Sequence, residues 1–364
     1  MPDALKDVYN RDFFEKVAAA AHNAYPAFDR EAFLARVFTP AWGALELKQR
    51  MRHGASALRA SLPERYVEAL DVVLAMADGC GAGLAQMMLP DFVEAYGLDE
   101  PDVSIPALAR LTRYSSSEFA VRPFLVRYPE RTLAAMLAWA EDESEHVRRL
   151  ASEGSRPRLP WAMALPAFKR DPTPTLPILE RLKADPSEYV RRSVANHLND
   201  ISKDHPRLAL DVARRWKGVS PETDWVAKHA CRTLLKKCDP EALALFGVGD
   251  ASGVAVEGFA PTSDVVPWGG ELAASFALRV GGDAPRRLRV EYAIEYVKAS
   301  GTRTRKLFKL SERVYAPGEA ALSFRQSLRD RTTRKHYPGE HAAAIVVNGA
   351  ELARFAFRLE EERP

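Results

Sequence analysis

The amino-acid sequence predicts a multidomain α-plus-β protein: an all-α solenoid of stacked helical repeats over residues 1–247, a linker over 248–256 and a β-sandwich over 257–364. Two observations predict it. The first is a duplication: His146-Val-Arg-Arg-Leu-Ala-Ser-Glu153 recurs as Tyr189-Val-Arg-Arg-Ser-Val-Ala-Asn196, 43 residues later, and each copy follows a Ser-Glu pair. A recurrence of about 40 to 47 residues carrying paired helices is the period of a HEAT-type solenoid, in which each repeat buries its apolar face only by stacking on the next. The second is a change of hydrophobic period, from about 3.6 residues to about 2, past Gly247.

Taken in order, the chain from Asp12 to Tyr96 is helical in pattern, with Phe13, Phe14, Phe28, Phe33, Leu34, Val37, Phe38 and Leu45 at packing intervals. Pro63 and Glu64 are expected to open a helix through Met76, with proline in the first turn. The Gly-rich run from Asp78 to Gly83 lacks the Lys-Ser/Thr of a phosphate loop and follows a helix, so it reads as a connection. Ser117 to Arg122 is expected to start one helix, Pro129 the next through Trp139, and the two Val-Arg-Arg helices follow with partners beginning near Pro174 and Pro206. A last pair covers Asp224 to Lys237 and Pro240 to Phe246. On a helix at about 100° per residue, Val190, Val194, His197, Leu198 and Ile201 form the apolar stripe, while Arg192, Asn196, Asp200 and Lys203 line another side. Arg149 and Glu153 take the equivalent line in the first copy, so successive repeats are expected to expose a basic strip interrupted by single acids.

Beyond the linker, alternating runs at Ser275–Val280, Leu288–Tyr296, Leu307–Leu310, Ala321–Phe324, Ala344–Val347 and Phe355–Leu359 read as strands of an immunoglobulin-like sandwich. That segment holds no cysteine, which excludes an inter-sheet disulfide. Tyr337 stands where such sandwiches often carry a corner tyrosine.

Composition narrows the function classes. An apolar content of 47% rules out a disordered chain, and a net charge of +3 does not by itself single out a nucleic-acid partner. Between Val147 and Lys237, however, stand 19 Lys/Arg against 10 Asp/Glu, an excess suited to a polyanion, although solvated helix faces are often basic for solubility alone. Cys80, Cys231 and Cys238 form neither a disulfide framework nor a metal-ligand spacing, and the histidines likewise, so no metal or cofactor is expected. With a polar N-terminus and no apolar run near about 18 residues, the expectation is a cytoplasmic monomer without membrane contact.

No Ser, His and Asp arrangement is legible, which leaves acids on or near the basic strip: Glu118, Glu153 and Asp200. Each has a plainer reading. Arg149 and Glu153 are spaced i,i+4 and can be a surface pair contributing about 0.3 kcal/mol. Asp200 can neutralise Lys203, and Glu118 can face a helix dipole. Trp161, beside Pro160 and shortly after Arg156 and Arg158, can offer a π face to a cation or sugar, or pack under the next repeat.

The run Ser152-Glu-Gly-Ser-Arg-Pro-Arg-Leu-Pro-Trp161 and the run Arg191-Arg-Ser-Val-Ala-Asn-His-Leu-Asn-Asp-Ile-Ser-Lys-Asp-His-Pro206 closely resemble the AlkC family of bacterial DNA alkylation-repair glycosylases, within the HEAT-like repeat superfamily. The likeness covers the helical part, and some members carry a C-terminal immunoglobulin-like domain. The resemblance implies hydrolysis of the N-glycosidic bond of cationic bases, 3-methyladenine and 3-methylcytosine, in double-stranded DNA, with the lesion approached in a bent duplex without a flipped-base pocket. Carried onto matching positions, it makes Glu153 and Asp200 the carboxylates beside the sugar, Trp161 the aromatic face and Glu118 an additional acid. Arg148, Arg149, Arg156, Arg158, Arg192, Lys203 and Lys228 are the expected DNA contacts. Nucleoid association would follow from that binding. A HEAT-type scaffold that binds DNA or protein without catalysis is the alternative. The basic stretches Lys298–Lys306 and Arg329–Lys335 are expected to be loops through which the sandwich also reaches DNA.

Overall fold

The computed structural model describes residues 4–330 and 335–361. Its contacts divide the chain into two compact units, Met1–Cys231 and Arg232–Pro364.

The first unit is helical throughout. Helix Arg11–Ala24 starts where the Asn10 side chain accepts from the Phe13 amide at 2.9 Å, and helix Arg30–Val37 where Asp29 does the same for Ala32 at 2.9 Å. Such caps satisfy amides that the first helical turn leaves unpaired. Helix Leu47–Arg59 begins with a reciprocal Glu46–Gln49 capping box. It then passes so close to its neighbours that a Cβ on Gly54 would lie 2.7 Å from Met88 Sδ and 2.8 Å from Phe14 Cε1. That close approach fixes one wall of the site described below. The helix expected from Pro63 starts at Tyr66 and runs to Cys80, so the connection is confined to the glycines after it. Glu118 lies in the turn ahead of helix Arg122–Arg127, not in a first helical turn. Helix Pro129–Trp139 keeps its expected bounds.

The two duplicated helices are Glu145–Gly154 and Glu188–Ile201, and they pack on each other. Val190, Val194, His197, Leu198 and Ile201 are all buried, as the stripe requires. The first arginine of each copy ties down the preceding connection. Arg148 Nη1 donates to the carbonyls of Asp142 and Glu143 at 2.9 Å each, and Arg191 Nη1 to those of Asp185 and Pro186 at 2.6 and 2.9 Å. Arg148 also donates to both carboxylate oxygens of Asp185 at 2.6 and 3.0 Å, stapling one repeat to the next.

The second unit begins earlier than residue 247. Two short helices, Arg232–Lys236 and Pro240–Leu245, group with the sandwich, and the expected linker already contains the start of the first strand. The reason is an apolar patch: Ala293, Ala344 and Val346 form a cluster with Leu307 and Cys238, so a strand face that would otherwise meet water is covered. At the hairpin closing that face, a Cβ on Gly349 (φ 87°) would stand 2.9 Å from Cys238 Cβ.

The strands are β1 (Val254–Pro261), β2 (Val265–Val266), β3 (Glu271–Val280), β4 (Arg286–Val297), β5 (Arg303–Tyr315), β6 (Gly318–Ser327), β7 (Gly339–Val347) and β8 (Ala350–Leu359). They form sheets of order β1-β3-β6 and β2-β8-β7-β4-β5, antiparallel except for β2 beside β8. Inward residues of both sheets, among them Leu272, Phe276, Val290, Tyr292, Phe324, Ile345 and Phe357, make the core. The six alternating runs are strands; β1 and β2 carried no clear alternation. Lys298–Lys306 is a loop only to Thr302, since β5 starts at Arg303, and 331–334 of the second basic stretch lie outside the described residues. Tyr337 is half-buried ahead of β7, and its carbonyl faces His341 Nε2 at 2.9 Å.

Candidate active site

The turn at Glu118, the helix ending at Gly154 and the helix ending at Ile201 bring the three expected acids into one line, joined by cations. Arg149 Nη1 lies 2.8 Å from Glu118 Oε2 and its Nη2 3.6 Å from Glu153 Oε1. Arg156 Nη1 donates to Glu153 Oε1 at 2.6 Å, and Arg156 Nε to Asp200 Oδ2 at 2.8 Å. Lys203 Nζ closes the row on Asp200 Oδ1 at 2.9 Å. Glu153 Oε2 accepts from Ser193 Oγ at 2.5 Å, and Arg149 also stands 4.6 Å above the Tyr189 ring. Three acids and three cations thus alternate.

The middle of this row is buried, not an exposed strip. Glu153, Arg156 and Asp200 are 5%, 7% and 2% exposed. Helix periodicity put Glu153 on a line with Arg149 and Asp200 on a line with Arg192, yet Glu153 and Asp200 are buried while Arg192 is exposed. Burial disfavours the charged forms of Arg149 and Arg156, yet the carboxylates on either side outweigh it and hold both guanidinium pKa values above the ordinary range. Beneath them His197 is buried, and burial pushes its pKa down to about 3, leaving a neutral ring beside the Ser152 carbonyl.

Residues 155–165 carry Trp161. Leu165 N closes the segment on Pro157 O at 3.1 Å, and Trp161 itself takes φ 65°, a left-handed backbone that is uncommon for a bulky residue. Its side chain is 61% exposed, so packing under the next repeat is not its role. A cavity of about 450 Å³ opens beside it. Glu118, Phe119, Glu153, Arg156, Trp161 and Met163 form one wall, and the N-terminal helices the other, with Tyr9, Lys48, Met51, Arg52, Asp91 and Glu94. Asp200 does not line the cavity; it is reached through Arg156. On the N-terminal wall Arg52 donates to both Asp91 oxygens at 2.8 and 2.9 Å. Burial, together with the neighbouring Asp91 charge, pushes the Glu94 carboxyl up to about 7.

Comparison with known proteins places this geometry. Residues 114–234 match a family model described as DNA alkylation repair enzyme, and residues 255–361 one described as the C-terminal Ig-like domain of uncharacterised protein YhaZ. The chain is 47% identical over 346 residues to the uncharacterized protein YhaZ of Bacillus subtilis, covering 95% of this chain and 96% of the relative. It is 41% identical to the Pseudomonas fluorescens alkylpurine DNA glycosylase AlkC, solved bound to DNA containing an abasic site analog, with a TM-score of 0.94 over 99% of this chain and 100% of that one. The chain belongs to the AlkC-type DNA alkylation repair enzymes.

In this AlkC-type chain the expected DNA contacts fall into two groups. Arg148, Arg149 and Arg156 are largely buried and held by carboxylates, which corrects the expectation of an exposed strip. Arg192 is exposed and pairs with Glu188, Arg158 pairs with Asp204, and Lys203 reaches the surface from Asp200; Lys228 is half-buried on helix Pro221–Ala230. Sequence reasoning missed Tyr9, Lys48, Arg52, Asp91, Glu94 and Arg122, because no repeat marks the N-terminal helices. A signal existed in two places. Asp91 interrupts the apolar run Met88-Leu-Pro-Asp-Phe-Val93, and Arg122 stands between Val121 and Phe124; charges so placed are uncommon in a core and mark a position with a polar task. No helix among the described residues is long and apolar enough to cross a membrane.

Proposed function

We propose that this protein is a DNA glycosylase that hydrolyses the N-glycosidic bond of cationic alkylated bases, 3-methyladenine and 3-methylcytosine, in double-stranded DNA. The observation that carries the reading is the convergence of Glu118, Glu153 and the exposed Trp161 ring on one cavity, with Asp200 one guanidinium away. A base that already bears positive charge leaves without much protonation, and its departure develops positive charge on the sugar. A carboxylate held in a low-dielectric site stabilises that charge and orients the attacking water. Glu153, on the cavity, does this work and Asp200 supports it through Arg156; the Trp161 face and Glu118 attract the cationic base.

Trp161 stands outward at the cavity rim, which supports a lesion met within a bent duplex instead of a nucleotide drawn into a closed pocket. Selectivity then follows the lability of cationic lesions, and neutral ones are poor substrates. Arg158, Arg192, Lys203 and Lys228 suit phosphates, while Arg149 and Arg156 position the acids and Arg148 staples the repeats through Asp185. The basic residues from Lys298 to Lys306 give the sandwich a phosphate contact of its own. A non-catalytic scaffold would not need buried acids beside an exposed tryptophan. The test is incubation of the purified chain with methylated genomic DNA and identification of the released bases: free 3-methyladenine is expected, and no released base with DNA bound would favour the scaffold.

A further inference from the structure

Arg122 is fully buried, yet among the described residues no carboxylate is bonded to it. Its Nη1 donates to Gly154 O at 2.9 Å and its Nε to Met163 O at 2.6 Å, and Nη2 has no hydrogen-bond partner. Burial, with the like charge of Arg156, pushes its pKa down to about 10. A buried guanidinium without a counter-ion on it is costly, and the two carbonyls it serves are informative. Gly154 follows Glu153 at the end of its helix, and Met163 is two residues past Trp161. Between those anchors the Trp161 carbonyl accepts a hydrogen bond from Lys48 Nζ, an exposed lysine on the opposite wall, at the residue with φ 65°. The segment is therefore held at both feet by one arginine and at its tip by one lysine.

We infer that Arg122 and Lys48 are positioning residues that fix the Trp161 segment and the Glu153 helix end relative to each other. Neither side chain needs to touch the base. This rests on the proposed glycosylase reading, since it is the acid and the aromatic face that must be set together. A left-handed tryptophan relaxes when its carbonyl is released, and the ring then leaves its place at the cavity rim. Arg122 acts through the backbone, so its loss moves both groups at once.

The test uses the full chain with Arg122→Lys, which keeps a buried cation but can hold only one carbonyl well, and Lys48→Met, which changes an exposed residue and so spares the fold. Three readouts are taken: single-turnover base release at saturating protein, affinity for DNA holding an abasic analogue across a salt series, and iodide quenching of Trp161 fluorescence, by difference from Trp161→Phe. Both variants are expected to release base at least about tenfold more slowly, with affinity within about twofold and the salt slope unchanged. Trp161 quenching should rise in both. Wild-type release and quenching in both variants overturns the inference. A salt slope lowered by about one in Lys48→Met overturns it for Lys48, which would then be a phosphate contact. If the wild-type chain releases no base, the glycosylase reading fails instead, and the quenching measurement still decides whether the two residues hold the segment.

Discussion

The two copies of the Val-Arg-Arg helix share a backbone role and differ in chemistry. Arg148 and Arg191 do the same thing, each donating to two carbonyls of the connection before its own helix. Arg149 and Arg192, one residue on, do not. Arg149 is enclosed by Glu118, Glu153 and Tyr189, whereas Arg192 lies in solvent on Glu188 of its own helix. The acid that makes the difference, Glu153, is Asn196 in the second copy, and the cavity is lined from the first copy only. A repeat can thus reuse one arginine for folding while the next is free to become part of a site, because the inward half of each helix is set by stacking and the remainder by what happens to face it.

The comparison predicts its largest effect on stability. Arg156→Met strips the cation shared by two buried carboxylates and should cost about 3–5 kcal/mol. Arg192→Met, which removes an exposed i,i+4 pair, should cost about 0.5 kcal/mol or less. Denaturant melts of the two variants measure both, and equal losses would dissolve the distinction between the copies.

Next comes catalysis. Glu153→Gln and Asp200→Asn are each expected to slow 3-methyladenine release by at least about tenfold, the scale of one lost transition-state interaction of about 1.4 kcal/mol. Because both acids hold Arg156, some stability is lost as well, so rates are compared at a temperature where each variant is folded. Glu188→Gln, the acid of the second copy, should stay within about twofold of wild type, the scale of an ordinary surface change. Wild-type rates in Glu153→Gln would remove the acid from the mechanism.

The salt dependence of DNA binding separates the arginines by a smaller margin. Arg192→Ala should lower the slope of log affinity against log salt by about one, as should alanine at any of Arg158, Lys203 and Lys228 that meets a phosphate. Arg149→Ala should leave the slope alone, since its charge is already taken by Glu118 and Glu153. A lowered slope for Arg149 with none for Arg192 would invert the assignment.

The last effect is one of pH, and it belongs to the N-terminal wall that only the first copy faces. Burial raises the folded pKa of Glu94 from the ordinary 4.5 of a glutamate to about 7. Between those values the folded state binds more protons than the unfolded one, so stability falls as pH rises. The contribution is present in full below about pH 4.5 and is lost by about pH 7. Glu94→Gln should flatten that portion of the stability profile, and an unchanged slope would show that Glu94 is not the group responsible.

What the sequence determined by itself is what local pattern encodes. The 43-residue recurrence carried the solenoid, the stripe of Val190, Val194, His197, Leu198 and Ile201 carried the buried face, and alternation carried six of the eight strands. Long matched runs around Glu153 and Asp200 carried the family. Tertiary structure alone decided whether those acids were exposed, because periodicity gives the side of a helix on which a residue lies and not what covers it. Only the fold could bring Lys48 to Trp161, 113 positions away, or Arg122 to the two ends of the tryptophan segment. It also decided that the helices at Arg232–Leu245 group with the sandwich, since an apolar sheet face takes the nearest cover wherever the texture of the sequence changes.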